Sequence, residues 1–102
     1  MRLEHYPVEK LKKQILEIIG KHLDLRFYRI FFFGSRVSEQ NSQRSDIDIG
    51  IDGPEEISAR ACAEIRESFN NLPTLYKFDL VDFRKVTSEF REEASKSIEY
   101  VK

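Results

Sequence analysis

The amino-acid sequence predicts an α/β (α+β) fold: a single small domain over residues 1–102, with a mixed β-sheet and flanking helices. Apolar residues repeat every three or four positions in some stretches, as on one face of a helix, and form short runs or alternate in others, as in strands. These segments follow one another without an internal repeat or a linker. A chain of 102 residues suits one domain with a modest core.

The first half of the chain is predicted to contain a helix and two strands. Pro7 suits the first turn of a helix, and apolar residues at a spacing of three or four predict that this helix covers residues 8–23. The aromatic run Tyr28–Phe33 is apolar on both faces and predicts a central strand. A polar loop, Arg36–Arg44, which could be flexible or partly helical after Gly34-Ser35, then leads to a second strand that begins near Asp46.

The second half is predicted to contain two helices with a strand between them. Asp52 is a candidate N-cap for a helix that Pro73 ends. The segment Lys77–Phe83 predicts the last strand, and Thr87–Val101 predicts a final helix. The predicted order is therefore helix, strand, strand, helix, strand, helix, with the helices covering one main face of the sheet.

The composition limits the classes of function. The formal net charge is −1, so no general basic field argues for nonspecific nucleic-acid binding. The single cysteine, Cys62, excludes an internal disulfide, fits a reducing compartment and is predicted to be a buried packing residue. No apolar run is long enough to span a bilayer and no signal-peptide pattern is present, so we expect a cytoplasmic protein.

Two aspartates stand out in the second strand. Asp46 and Asp48 are two residues apart, so their side chains leave the sheet on the same face. One interpretation is an ordinary amphipathic strand whose aspartates face water. The other is a site for a divalent cation, since hard cations are held by carboxylate oxygens. Two carboxylates roughly 4 Å apart repel by about 4 kcal/mol at an effective dielectric constant of about 20, so convergent ones need a cation or a shared proton.

A Gly-Ser pair, Gly34-Ser35, follows the first strand. A glycine lets the backbone bend sharply and approach a ligand, and the serine hydroxyl is a donor. Exposed backbone amides in such a turn, or at the start of a short helix, form a site for phosphate. A plain turn is the other interpretation. Together with the two carboxylates, the pair would supply what a metal-bound nucleotide needs: donors for phosphate oxygens and acidic ligands for the ions.

This set of residues resembles a known family. Gly34-Ser35 followed by Asp46-Ile47-Asp48 resembles the GS…DxD signature of the DNA polymerase β-type nucleotidyltransferase superfamily. More closely, FFFGSRV and SDIDIGI resemble the minimal nucleotidyltransferases, small stand-alone proteins commonly paired with a HEPN-type protein in prokaryotes. The resemblance covers nearly the whole chain, and it implies the palm-like nucleotidyltransferase fold of that superfamily.

The resemblance also implies the metal ligands. Asp46, Asp48 and Asp79 would be the catalytic residues and would bind two Mg²⁺ ions, which Mn²⁺ could replace. Asp79 would in addition take the proton of an attacking hydroxyl. Asp82 is the alternative third carboxylate, and the sequence does not choose firmly between Asp79 and Asp82.

For the donor nucleoside triphosphate, the resemblance implies contacts from the bend and the loop before the second strand. Arg36 is a candidate phosphate contact, as is Arg44, although solvated loop arginines are an equally good interpretation. The family pattern usually continues with Arg-Gly where this chain has Ser38-Glu39, and the added anion could weaken nucleotide affinity. The residues expected to bind the nucleotide are Gly34, Ser35, Arg36 and Ser45.

The function that the resemblance implies is transfer of an NMP, AMP from ATP, to an acceptor hydroxyl. The implied partner is a small helical HEPN-type protein, which this chain would neutralise as an antitoxin by modifying a tyrosine. The alternative is a catalytically decayed interaction module that neutralises a partner by binding alone. A nucleic-acid binder is a weaker hypothesis, because the aromatic residues occupy core-like positions rather than a basic stripe.

Overall fold

The structure is a computed structural model that describes residues 1–38 and 46–102, with the side chains of Ser35 and Ser38 outside the description. Its centre is a mixed sheet of four strands, β1 (Arg29–Phe33), β2 (Ile47–Asp52), β3 (Phe78–Asp82) and β4 (Ile98–Tyr100). Their order across the sheet is β3-β2-β1-β4. β1 is antiparallel to both β2 and β4, whereas β2 and β3 are parallel. The predicted α+β class with a mixed sheet is therefore confirmed.

The helices of the described ranges are α1 (Val8–Gly20), α2 (Ser35–Ser38), α3 (Ala59–Asn70) and α4 (Ser88–Ala94). α3 connects β2 to β3, since two parallel neighbouring strands need such a crossover. Cys62 lies buried on α3, as predicted. Among the described residues, no helix has both the length and the apolar character that crossing a membrane requires.

The main core lies between the sheet and the helices α1 and α3. Ile30 and Phe32, alternate residues of β1, point to this side and are fully buried. Leu11, Ile15 and Ile19 recur on one face of α1 and are fully buried as well. Each such side chain stabilises the fold by about 1.5–3 kcal/mol relative to an exposed one. This core holds the sheet that carries the site.

The opposite face of the sheet carries an aromatic cluster that packs under α4. Phe31 and Phe33 of β1 meet Phe83 edge-on, with ring centroids 4.8 and 5.1 Å apart. Phe90 of α4 packs edge-on against Phe33 at 6.0 Å. The helices therefore do not all cover one face, because α4 lies opposite α1 and α3. Since Phe33 is the register partner of Asp48, the cluster forms a wall beside that carboxylate.

The helix predicted over Thr87–Val101 is wrong in its second half. α4 ends at Ala94 with Ser95 as its C-cap, and the short strand β4 follows. The apolar residues of this segment recur every four positions, which fits a helix, but Ile98–Tyr100 also alternates like a strand. Pairing with Phe31–Phe33 decides the outcome, because β1 would otherwise expose a row of unpaired backbone groups at the sheet edge.

The predicted N-cap of α3 is also wrong. Ser58 caps the helix by accepting a hydrogen bond from the Ala61 amide at 3.1 Å. The Asp52 carboxylate instead accepts hydrogen bonds from Arg91 at 2.8 Å and from Arg29 at 3.1 Å. A charged guanidinium is a stronger partner for a carboxylate than a neutral amide. Asp52 therefore connects the sheet to α4, and Ser58 rather than Asp52 is the N-cap of α3.

Candidate active site

Two carboxylates lie side by side on the face of the sheet that α4 covers in part. Asp48 of β2 and Asp79 of β3 are register partners on parallel strands, which places their side chains on the same face. Asp48 is partly buried and Asp79 is exposed. Asp46 lies just before β2 and is exposed. The structure thus places Asp79 beside Asp48, and Asp46 lies two residues before Asp48 in the chain.

The alternative third carboxylate, Asp82, has different neighbours. It is buried, and it accepts hydrogen bonds from the backbone amides of Ile57 at 2.7 Å and Arg84 at 3.0 Å. The bond from Ile57 joins the end of β3 to the segment before α3, and the bond from Arg84 holds the turn that follows β3. Of the two aspartates that the sequence left open, Asp79 is the one that lies beside Asp48.

The Asp48 carboxylate is repelled by both of its acidic neighbours, Asp79 and Asp46. Burial raises the pKa of the Asp48 carboxyl from 3.8 to about 6, and the negative charges of Asp79 and then Asp46 contribute to the same shift. An environment that disfavours a bare carboxylate favours a bound cation, because the cation offsets both the lost hydration and the repulsion. Asp48 is therefore the member of the set that would gain most from a divalent ion.

The carboxylates of the site are chemically suited to Mg²⁺, although they are spaced too widely to enclose an ion. Asp46, Asp48 and Asp79 offer carboxylate oxygens, which hard divalent cations prefer. Within residues 1–38 and 46–102, however, no group of three or more His, Cys, Asp or Glu side chains is close enough to hold a metal ion as it stands. Carboxylates that converge repel one another unless a cation lies between them. These three residues could hold a metal by closing around it.

Gly34 ends β1 directly against Asp48. Its φ is +84°, in the left-handed region, and a Cβ at this position would overlap the Oδ2 atom of Asp48. Only glycine satisfies both the conformation and the space. The Gly34 carbonyl oxygen accepts a hydrogen bond from the Val37 amide at 3.1 Å, which closes the first turn of α2. The predicted bend therefore places backbone against an acidic side chain.

A cleft of about 620 Å³ opens between these carboxylates and α4. Small-molecule sites have volumes of about 300–1,000 Å³ and combine apolar walls with a few polar groups. The cleft has both features. Asp48 and Asp79 line its acidic side next to Gly34, and its apolar side is formed by Phe33, Val81, Phe90 and Ala94. Glu93, Lys96 and Ser97 complete the lining, and the largely exposed side chains of Glu93 and Lys96 mark its mouth toward solvent.

Arg36 packs on an aromatic ring and is not among the described residues that line this cleft. Its side chain is 5% exposed, and its guanidinium carbon lies 4.8 Å from the centroid of the Tyr76 ring, a cation–π contact. The role of Arg36 as a phosphate contact stays a prediction. The predictions for Glu39, Arg44 and Ser45 concern residues outside the described ranges.

Sequence reasoning missed two charged residues of the cleft, Glu93 and Lys96. The predicted helix continued to Val101, so nothing indicated that Lys96 lies on a connection that lines the same cleft as Asp48 and Asp79. The available signal was the pair of serines that flank Lys96, because serine is a weak helix former.

The fold and the site define a class of protein. The family model described as "Polymerase beta, Nucleotidyltransferase" matches residues 13–101. The chain belongs to the polymerase β nucleotidyltransferase family. The matched residues include the Gly34 bend and both strands that carry the paired carboxylates, so the resemblance read from the sequence is confirmed.

A particular relative is the probable protein adenylyltransferase MntA of Haemophilus influenzae. It is 31% identical over 65 residues, which make up 64% of this chain and 57% of the relative. The chain thus spans less than two thirds of that protein.

Solved structures share the fold. A crystal structure of a toxin-antitoxin with AMP-PNP aligns with a TM-score of 0.73 and 19% identity, over 89% of this chain and 72% of that chain. The structure of a tri-AMPylated Shewanella oneidensis HEPN toxin in complex with MNT antitoxin aligns with a TM-score of 0.67 and 20% identity, over 92% of this chain and 71% of that chain. At these identities the likeness shows the fold.

Proposed function

We propose that this protein transfers AMP from ATP to an acceptor hydroxyl and acts as the antitoxin of a HEPN/MNT toxin-antitoxin pair. The observation that supports this best is the pairing of Asp48 with Asp79 on adjacent strands, with the Gly34 backbone against the Asp48 carboxylate. Membership of the nucleotidyltransferase family supports the class of reaction. The name of the MntA relative, a probable protein adenylyltransferase, supports AMP as the transferred group.

In this proposal Asp46, Asp48 and Asp79 hold two Mg²⁺ ions. Bound ions of this kind neutralise phosphate charge and stabilise an in-line displacement at phosphorus. Asp79 is the exposed member of the register pair, and it takes the proton of the attacking hydroxyl. As the hydroxyl oxygen bonds to the α-phosphorus, the bond from that phosphorus to the β-phosphate breaks and pyrophosphate leaves. The backbone at Gly34 and Ser35 donates to the outer phosphates, where a glycine allows the closest approach.

The adenine ring is proposed to lie on the apolar side of the cleft. Phe33 and Val81 line this side, and Phe90 is 41% exposed at its edge. A flat ring gains from contact with an exposed aromatic face. The carboxylates and the apolar wall lie in one cleft, so a single nucleotide could contact both.

The acceptor is proposed to be a tyrosine hydroxyl of a small helical HEPN-type partner. Support comes from the Shewanella oneidensis complex, in which an MNT antitoxin accompanies a tri-AMPylated HEPN toxin. We also propose that the chain forms one nucleotidyltransferase domain over residues 1–102. A cytoplasmic location fits this function, since ATP is available there and the free thiol of Cys62 suits a reducing compartment.

The test is modification of a HEPN-type protein encoded beside this chain. The purified partner is incubated with ATP, Mg²⁺ and either the wild type or a variant, and its mass is measured by intact mass spectrometry. Wild type should add the mass of AMP, whereas Asp48→Asn and Asp79→Asn should not. Asp24→Asn is the matched control, because Asp24 is an exposed residue paired with Arg26. Equal modification by wild type and Asp48→Asn would defeat the proposal.

A module that acts by binding alone is the second candidate, and the open spacing of the carboxylates favours it. The two candidates differ in cells that express the partner. If binding suffices, the double variant Asp48→Asn, Asp79→Asn restores growth as well as wild type does. If transfer is required, the double variant fails to restore growth although it still co-purifies with the partner.

A further inference from the structure

The cleft beside the paired carboxylates has an unfavourable charge balance for a nucleoside triphosphate. Among the described residues that line it, three are acidic, Asp48, Asp79 and Glu93, and one is basic, Lys96. A triphosphate adds several more negative charges. Metal ions offset part of this repulsion, but a basic side chain that reaches the phosphates would offset more of it.

Lys96 is placed to do this. It follows α4 and precedes β4, so it lies on the connection at the mouth of the cleft. Its side chain is 67% exposed, which leaves room for its long stem to move. Arg36, one of the two arginines that the sequence offered as candidate phosphate contacts, packs on the Tyr76 ring with 5% of its surface exposed.

The ion pair between Lys96 and Glu93 is weak enough to break when a nucleotide binds. The Lys96 ammonium lies 2.9 Å from the Glu93 carboxylate, whose side chain is 77% exposed. An exposed ion pair between two flexible side chains contributes little to stability. Exchange of the Glu93 carboxylate for a more highly charged phosphate group is therefore favourable, since phosphate oxygens are strong acceptors for an ammonium.

We propose that Lys96 binds the triphosphate of the donor nucleotide and that Glu93 holds the Lys96 ammonium at the mouth of the cleft until the nucleotide enters. This inference rests on the proposed nucleotidyl transfer. Glu93 then acts as a competitor of the nucleotide, so the pair sets the affinity for the donor rather than the chemistry at the α-phosphorus.

The experiment is isothermal titration calorimetry with α,β-methylene ATP, whose α–β bridge cannot be cleaved, in the presence of Mg²⁺. Lys96→Met should weaken binding about tenfold, as expected for the loss of one charge-assisted hydrogen bond. Lys96→Arg should retain most of the affinity, and Glu93→Gln should increase it. Lys21→Met is the matched control, because Lys21 lies at the end of α1, on the other side of the sheet.

The dependence of nucleotide affinity on KCl concentration shows whether Lys96→Met acts by removing a charge or by changing the shape of the cleft. Affinity should fall with rising salt in wild type, and less steeply in Lys96→Met, because that variant has lost a screened attraction. Equal affinity and equal salt dependence in wild type and Lys96→Met would overturn the role of Lys96 and leave the proposed transfer intact. Failure of wild type to bind the analogue at all would overturn the proposed transfer and this inference together.

Discussion

Gly34 and Asp48 occupy adjoining space, so that any side chain at position 34 would displace the Asp48 carboxylate. The antiparallel register of β1 and β2 fixes this relationship, because Phe33 lies opposite Asp48. The bend proposed to hold phosphate and the acid proposed to hold metal are therefore positioned by one contact between neighbouring strands.

Gly34→Ala should abolish AMP transfer and lower the free energy of unfolding. The left-handed φ of +84° costs a residue with a side chain about 1–3 kcal/mol, and the new methyl group overlaps the Asp48 carboxylate. Thermal unfolding and the transfer assay measure the two effects. Gly20→Ala is the control, since its methyl group would meet the flexible Leu25 side chain at 3.3 Å. Full transfer by Gly34→Ala would contradict the proposed geometry.

Asp48→Asn should abolish transfer yet stabilise the metal-free protein at neutral pH. Because the pKa of the Asp48 carboxyl is raised to about 6 in the folded state, folded protein binds this proton more tightly than unfolded protein. The stabilising contribution of this proton to the wild type is therefore fully present below about pH 4 and is lost as the pH rises through about 6. The amide carries no charge and avoids this loss.

Thermal unfolding in EDTA across this pH range is the measurement for Asp48→Asn. The melting temperature of the variant should exceed that of wild type at neutral pH, and the difference should shrink in acid. Added Mg²⁺ should stabilise wild type more than the variant. A variant that melts below wild type at neutral pH would show that burial and repulsion do not penalise the carboxylate.

Asp52→Asn should destabilise the protein, with the opposite dependence on pH. The hydrogen bond from Arg91 is the largest of the effects that lower the pKa of the Asp52 carboxyl below 3.8. Its contribution is present above about pH 4 and is lost as the pH falls through the lowered folded-state pKa. At neutral pH the variant should lose about 1.5–3 kcal/mol, the range for a hydrogen bond to a charged group. Urea unfolding that showed the same gap at neutral and strongly acidic pH would rule this out.

Asp79→Ala and Asp82→Ala should separate chemistry from stability. Asp79 is exposed, so its loss should abolish transfer without lowering the melting temperature. Asp82 accepts two backbone hydrogen bonds, so its loss should lower stability by about 1–3 kcal/mol. Transfer rates corrected for the folded fraction are the deciding measurement. Retained transfer in Asp79→Ala, with loss in Asp82→Ala, would make Asp82 the third carboxylate.

The strands that carry the site were predictable from the sequence because their signals are local. The apolar run Tyr28–Phe33 and the alternation after Asp46 each fit one strand, and β1 and β2 form within a residue or two of those positions. The neighbourhood of Asp48 and Asp79 was predicted through the family resemblance, and the register of the parallel pair agrees with it.

The rest depended on contacts between residues far apart in the chain. Ile98–Tyr100 forms a strand because β1 offers an edge, and no pattern within the segment reveals that edge. Lys96 was missed for this reason. The burial of Arg36 likewise depends on the Tyr76 ring, which comes from the connection between α3 and β3. Local periodicity cannot encode either relationship.

The position of β3 has a consequence for how the acids respond to an ion. Within the described ranges, β3 is hydrogen-bonded to a strand on one side only, whereas β2 is bonded on both. The strand that carries Asp79, β3, is therefore displaced more easily than β2, which carries Asp48. A cation that draws the two together would displace the outer strand and leave the ladder between β1 and β2 undisturbed.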